Sequence, residues 1–134
     1  MTTASPSPAD VRPAPLAGLR VVEFSAFVAA PSAGLALAQL GADVIRVDPP
    51  GGNIDANRMP VNADGASLYW ASLNHGKRSI EIDPRAPRGR ALIRDLIAAP
   101  GDGGGVFVTN LGVDGELGYD ALRAHRPDLI MVML

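Results

Sequence analysis

Hydrophobic positions recur along this chain in two alternating rhythms. "LRVVEF" (19–24), "DVIRVD" (43–48), "SIEI" (79–82), "VFVT" (106–109) and "DLIMVML" (128–134) are short runs of strand type. Helical spacing fills the intervals. A helix opens with Pro31 at its first position, runs to about Leu40 and stops at Gly41, a residue suited to the left-handed end of a helix. Residues 89–98 place Leu92, Ile93, Leu96 and Ile97 at the helical period, residues 119–125 form another helix, and residues 67–73 a helical turn. "PPGG" (49–52) opens a polar, turn-rich stretch that reaches about Ala66.

Strands alternating with helices at this spacing predict an α/β fold, a Rossmann-like parallel sheet with helices on both faces. Ligands of such sheets lie beyond the carboxyl ends of the strands. That rule selects residues 25–30, 48–52 and 110–112, and whatever follows Leu134. The 24–48 unit has the shape of a nucleotide-binding turn, yet Ala29 and Ala30 stand where a dinucleotide site needs glycine for close backbone approach. "GDGGG" (101–105) runs from helix into strand, the reverse of a phosphate loop, and reads as a plain connection. The final strand is nearly all apolar; leaving half of it wet would cost on the order of 5 kcal/mol, close to a domain's whole stability. The expectation is that residues 16–134 are the N-terminal part of something larger, cut off after Leu134.

Composition narrows the function. The sequence has 134 residues, which suits one domain, and 47% apolar residues, enough for a core. A net charge of −2 without any basic block disfavours nucleic-acid binding. The absence of cysteine removes disulfides, thiolate chemistry and cysteine metal sites. His75 and His125 have no ligand-type spacing to carboxylates, so no metal is expected; both read as surface or interface residues. Residues 1–15, rich in Pro, Ser, Thr and Ala, are expected to be a disordered tail rather than a secretory signal. Pro31, Gln39 and the Ala/Gly content of 26–42 argue against a membrane span, leaving the cytoplasm as the default location.

Five stretches then occur in order: "PLAGLRVVEFS", "APSAGLALAQLGADVIRVDPPGG", "SLYWASLNHGKRSIEIDPRAPRG", "VTNL" and "LGYDALRAHRPDLI". Together they resemble the start of the class III CoA-transferases, the family of formyl-CoA and carnitine CoA-transferases and α-methylacyl-CoA racemase. "SAFVAAP", "LAQLGADVIR", "GKRSI", "PRG", "APG" and "HRPDLIMV" are similar to the branch that moves CoA from one carboxyl of a C5 dicarboxylate to the other. The resemblance implies a two-domain protein whose large domain begins here, interlocked as a homodimer of rings. It implies an acyl-CoA thioester as substrate, with no permanently bound cofactor. Its catalytic aspartate would follow the strand ending at Leu134, so the chain alone would hold no catalytic residue and be inactive. That carboxylate attacks the thioester, giving a mixed anhydride and CoA thiolate; backbone N–H groups steady the oxyanion. An intermolecular transferase, a racemase, and a non-catalytic fragment or interaction module stand as alternatives.

The same resemblance assigns site residues. The backbone of Val28 and Ala29 would contact CoA near its thiol, Ile82, Asp83, Pro84 and Arg85 its adenosine portion, and Asn110, Leu111 and Gly112 the ligand-facing strand end. Lys77, Arg78, Arg85, Arg88 and Arg90 cluster in an otherwise acidic chain, and CoA's phosphates require cations. Arg85 is assigned to the ligand, Arg88 and Arg90 to a solvated helix entrance, and Lys77 and Arg78 equally to a dimer interface. Asp48 reads as a strand-terminating acid, Tyr69 and Trp70 as core or interface. The His and Gln that formyl-CoA transferases carry at positions 26 and 28 are Ala26 and Val28 here, and the Arg that some members carry at 49 is Pro49. Leu111 replaces the usual Phe, and Glu116 stands near where several members carry Arg. CoA would therefore have fewer phosphate anchors than in those members.

Overall fold

A computed structural model describes residues 14–134; of the tail expected over residues 1–15, residues 1–13 lie outside the described residues. Ala14 and Pro15 lead a turn closed by Ala17 N–H donating to Ala14 O at 3.0 Å. Among the described residues, five strands and four α-helices follow: β1 (Arg20–Phe24), α1 (Ala29–Gln39), β2 (Asp43–Asp48), α2 (Leu68–Asn74), β3 (Arg78–Glu81), α3 (Pro87–Ala98), β4 (Val106–Thr109), α4 (Tyr119–His125) and β5 (Ile130–Met133), with a short 3-10 turn at Gly115–Leu117 before α4. The strands form one parallel sheet in the order β3-β2-β1-β4-β5. This is the winding of doubly wound nucleotide-binding sheets, whose switch point falls between β1 and β4.

The sheet is two-faced because side chains alternate along each strand. Val22 and Phe24 of β1 pack with Val47, Phe107, Ile93 and Ile97 of α3 and Leu122 of α4. Val21, Val44 and Val108 turn the other way, onto Ala30, Ala33 and Leu37 of α1. Register pairs Phe24 with Val47 and with Thr109, and Asp48 with Glu81, so the carboxyl ends lie level along one edge.

One helix start differs from the sequence expectation. α1 begins at Ala29, which makes Pro31 its third residue, buried, instead of its first. The first three residues of a helix make no intrahelical N–H bond, so proline fits there as well. Gly41 ends the helix at φ +100°, a conformation that favours glycine.

The two outer strands differ in character. Arg78 of β3 is tied to Asp43 by paired bonds of 2.8 and 2.7 Å, a charged guard on that edge. β5 has no such guard: Ile130 and Val132 are 59% and 41% exposed, and Met133 and Leu134 are exposed beside them. An unguarded apolar edge templates pairing with another chain. The 134-residue chain on its own is therefore expected to self-associate, and Val132→Lys to reduce this, as read by sedimentation velocity. A wild-type chain that sediments as a monomer at every concentration would contradict the expectation.

Candidate functional site

The strand ends and the loops after them form the candidate site, which has two neighbouring parts. The first part is a cleft of about 400 Å³ at the switch point, lined by Phe24, Pro84, Arg85, Arg90, Leu111 and Gly112, with Val113, Asp114 and Leu117 completing it. Its size suits a small-molecule ligand. Pro84, Arg85, Leu111 and Gly112, chosen from sequence on two separate stretches, thus line one cavity. The Arg85 guanidinium is exposed and held by Asp83 Oδ1 at 3.0 Å, which also accepts the Arg85 N–H at 3.0 Å. These bonds hold the Asp83 carboxyl below its usual range. Arg90 lines the cleft while its Nη1 donates to Arg85 O at 2.9 Å, so it does more than guard a helix entrance.

The second part is the loop between β1 and α1. Asn110 joins it to the cleft: Oδ1 accepts the Ala26 N–H at 3.0 Å and Nδ2 donates to Ala26 O at 2.7 Å. The Asn110 amide is consumed in bracketing that loop. Phe27 adopts φ +62°, left-handed and costly for a non-glycine residue, and Asp55 Oδ2 accepts its N–H at 2.9 Å. Asn53 Nδ2 and Arg46 Nη2 both donate to Ser25 O, at 3.0 and 3.2 Å. Val28 is 51% exposed and Ala29 exposed at the start of α1, which has no side-chain cap. Ile82 lies apart from both, buried in the core and lining an apolar groove with Leu92 and Leu96.

Beneath the loop sits a charged cluster that the sequence reading missed. Glu23 and Arg46 are register partners on β1 and β2, pointing to the α1 side. Arg46, almost wholly buried, grips Asp48 through Nε and Nη2 at 2.8 and 2.9 Å. It also donates to Asn74 Oδ1 at 3.0 Å, and lies 3.4 Å from Asp55 and 3.5 Å from Glu23. Burial works against its charge, but the bond to Asp48 and the attraction of Asp48, Asp55 and Glu23 outweigh it and raise its pKa. Asp48 is thus no mere strand-terminating acid; it is the buried counter-ion of Arg46.

Lys77 corrects a second expectation. It is the only lysine of the chain, and its amine is turned inward instead of toward solvent. Its Nζ is buried, donating to Glu23 Oε2 at 2.8 Å, Asn74 Oδ1 at 2.8 Å and Pro31 O at 2.9 Å. Burial lowers its pKa more than the bond to Glu23 restores it. Trp70 and Tyr69 support cations: Arg46 lies 5.5 Å over the Trp70 ring, and Arg58 4.8 Å over Tyr69. The available signal was a charged residue in each of two central strands, "VVEF" and "VIRV", in matching phase. Among the described residues no cluster of His, Asp or Glu could hold a metal, and no helix is long and apolar enough to cross a membrane.

Comparison with known proteins places this geometry. The profile of CoA-transferase family III matches residues 16–134. The chain is 62% identical over 120 residues to 2-methylfumaryl-CoA isomerase of Chloroflexus aurantiacus, covering 89% of this chain and 29% of that protein. It is 39% identical over 130 residues to succinate–glutarate CoA-transferase of Agrobacterium fabrum, covering 89% of this chain and 32% of that one. Among solved structures, a CAIB/BAIF family protein from Brucella suis superposes with a TM-score of 0.80 at 36% identity, over 91% of this chain and 33% of its own. The chain spans about a third of the length of these relatives.

Proposed function

This chain belongs to CoA-transferase family III, and from that membership we propose that the protein moves CoA between the two carboxyl groups of a C5 dicarboxylate. The observation that carries the reading is the 62% identity to 2-methylfumaryl-CoA isomerase, against 39% to an intermolecular transferase. The same reading makes the protein an interlocked cytoplasmic homodimer when complete.

The chain's own part is to hold the coenzyme. Arg85 and Pro84 would take the nucleotide end in the 400 Å³ cleft. Leu111, Gly112 and the Asn110-bracketed loop would carry pantetheine toward Val28 and Ala29, with Ile82 and Asp83 backing the Pro84–Arg85 turn. A carboxylate supplied from beyond residue 134 would then attack the thioester carbonyl, expelling CoA thiolate and leaving a mixed anhydride. Thiolate attack on the enzyme side of that anhydride gives an enzyme thioester and the free diacid. The diacid's other carboxylate attacks this thioester, and the released thiolate closes the cycle on the new acyl carbon. Proton count is unchanged, because every attacking group is already an anion.

The test follows the C1 and C4 thioesters of 2-methylfumarate chromatographically, starting from one and adding isotopically labelled free diacid. Interconversion without label uptake is the expected result. Dependence of turnover on added diacid would assign the protein to intermolecular transfer. The 134-residue chain alone is expected to bind CoA without turning it over. In either form, Arg85→Ala is expected to weaken CoA binding roughly tenfold and to leave S-alkyl pantetheine binding unchanged. Equal loss for both ligands would remove Arg85 from the nucleotide end.

A further inference from the structure

Arg58 is a cation that nothing described so far employs. It is exposed, and among the described residues no carboxylate lies within ion-pair distance of it. Its position is nevertheless fixed. The Arg58 N–H donates to Asp55 O at 3.1 Å, and the hydroxyl of Ser67, the residue preceding α2, donates to Arg58 O. The guanidinium lies over two rings at once, 4.8 Å from the Tyr69 centroid and 5.5 Å from that of Phe27. Asp55, whose backbone positions Arg58, is the residue whose side chain holds Phe27 in its left-handed conformation. The loop that presents Val28 and the platform beneath Arg58 are therefore one construction.

The order of contacts leading away from the cleft gives this cation a chemistry. Arg85, Leu111 and Gly112 line the cleft; Asn110 joins it to Ala26; Phe27 and Val28 come next; Arg58 lies beyond, over Phe27. If CoA lies with its nucleotide by Arg85 and its sulfur by Val28, the acyl chain leaves the sulfur in the neighbourhood of Arg58. We propose that Arg58 receives the free carboxylate of a dicarboxylic acyl group and sets the preference for acyl-CoA esters that carry a second acid. This rests on the CoA reading above. A guanidinium stacked on aromatic faces keeps its N–H edges free, and those edges match a carboxylate bidentately. Attraction to the two rings holds the cation in place without occupying its N–H donors. Ile54 and Met59, four residues before and one after Arg58, are exposed apolar side chains of the same loop.

Two unreactive thioethers separate this role from a structural one: S-(3-carboxypropyl)-CoA, with a terminal acid, and S-butyl-CoA, with a methyl in its place. Both are titrated calorimetrically into the intact protein. Wild type is expected to bind the acid roughly tenfold more tightly, as one charge-assisted pair would give. Arg58→Gln is expected to bring the two affinities together by weakening the acid alone, and Arg58→Lys to fall between, having charge without the fork. Retained preference in Arg58→Gln overturns the proposal, as does equal weakening of both thioethers, which would make Arg58 a scaffold for its loop. Absence of preference in wild type overturns it as well, while leaving CoA binding intact. A wild type that binds neither thioether fells the CoA reading first, and this inference with it.

Discussion

Replacing Arg46 with leucine is expected to cost about 4 kcal/mol, the scale observed when one member of a buried ion pair is removed. Three carboxylates, on Glu23, Asp48 and Asp55, surround Arg46, and among the described residues Lys77 is the other cation in the cluster. Without the guanidinium, Asp48 loses both of its bonds to it, Asp55 loses its counter-charge at 3.4 Å, and Glu23 is left with Lys77 alone. Leucine returns some apolar burial, on the order of 2 kcal/mol, yet it satisfies none of the acceptors. The desolvated anions decide the sign. A domain's stability is about 5–15 kcal/mol, so the variant would be marginal at room temperature. Urea unfolding of the intact protein checks this through the shift in midpoint at unchanged slope. A midpoint shift worth under 1 kcal/mol would mean that the cluster is solvated in a way its burial denies.

The same cluster sets the second large effect, at a residue with no side chain. Gly34 sits in α1 directly over Glu23. A methyl group there would overlap Glu23 Oε2 and come within 2.9 Å of Glu23 Cδ and 3.2 Å of Lys77 Nζ. Gly34→Ala should gain about 1 kcal/mol in helix propensity. Against that, it must displace a carboxylate that accepts from Lys77 at 2.8 and 3.1 Å and from Ser25 Oγ at 2.6 Å. A buried charged group left without its partners costs about 3 kcal/mol or more. The net expectation is a loss of about 2 kcal/mol, measurable by thermal unfolding. Restoration by Glu23→Gln in the Gly34→Ala background would point instead to charge, rather than space, as the limiting factor.

The burial of Lys77 also gives a sign to alkaline stability. Its folded-state pKa is lowered from 10.5 by desolvation. Between that lowered value and 10.5 the unfolded chain retains a proton that the folded chain has released, so Lys77 contributes stability that grows as pH rises through this window. Below it, the cost of burying the charged amine is present in full. Lys77→Met removes this slope.

These effects show where local reading stops. Strand and helix positions were legible because apolar spacing is set by geometry within a few residues: β2 and β4, at 43–48 and 106–109, fall where the pattern placed them. The parallel sheet followed from alternation of the elements. The motifs that carried the family resemblance also picked out Pro84, Arg85, Leu111 and Gly112, which fold into one cleft. Pro31 was misplaced by two residues because proline is tolerated throughout a helix's first turn.

What the sequence determined by itself is the α/β framework and its family. Only the tertiary structure decided that Lys77 and Asp48 are internal counter-ions, that Asn110 and Asp55 shape the loop before α1, and that Arg58 stands over Phe27 with no ion-pair partner among the described residues. The reason is range. Lys77 meets Glu23 across 54 positions of chain, and Asn110 meets Ala26 across 84. A charge in a linear sequence reads as solvated until the chain brings it a partner and takes away its water, and both of those happen only on folding.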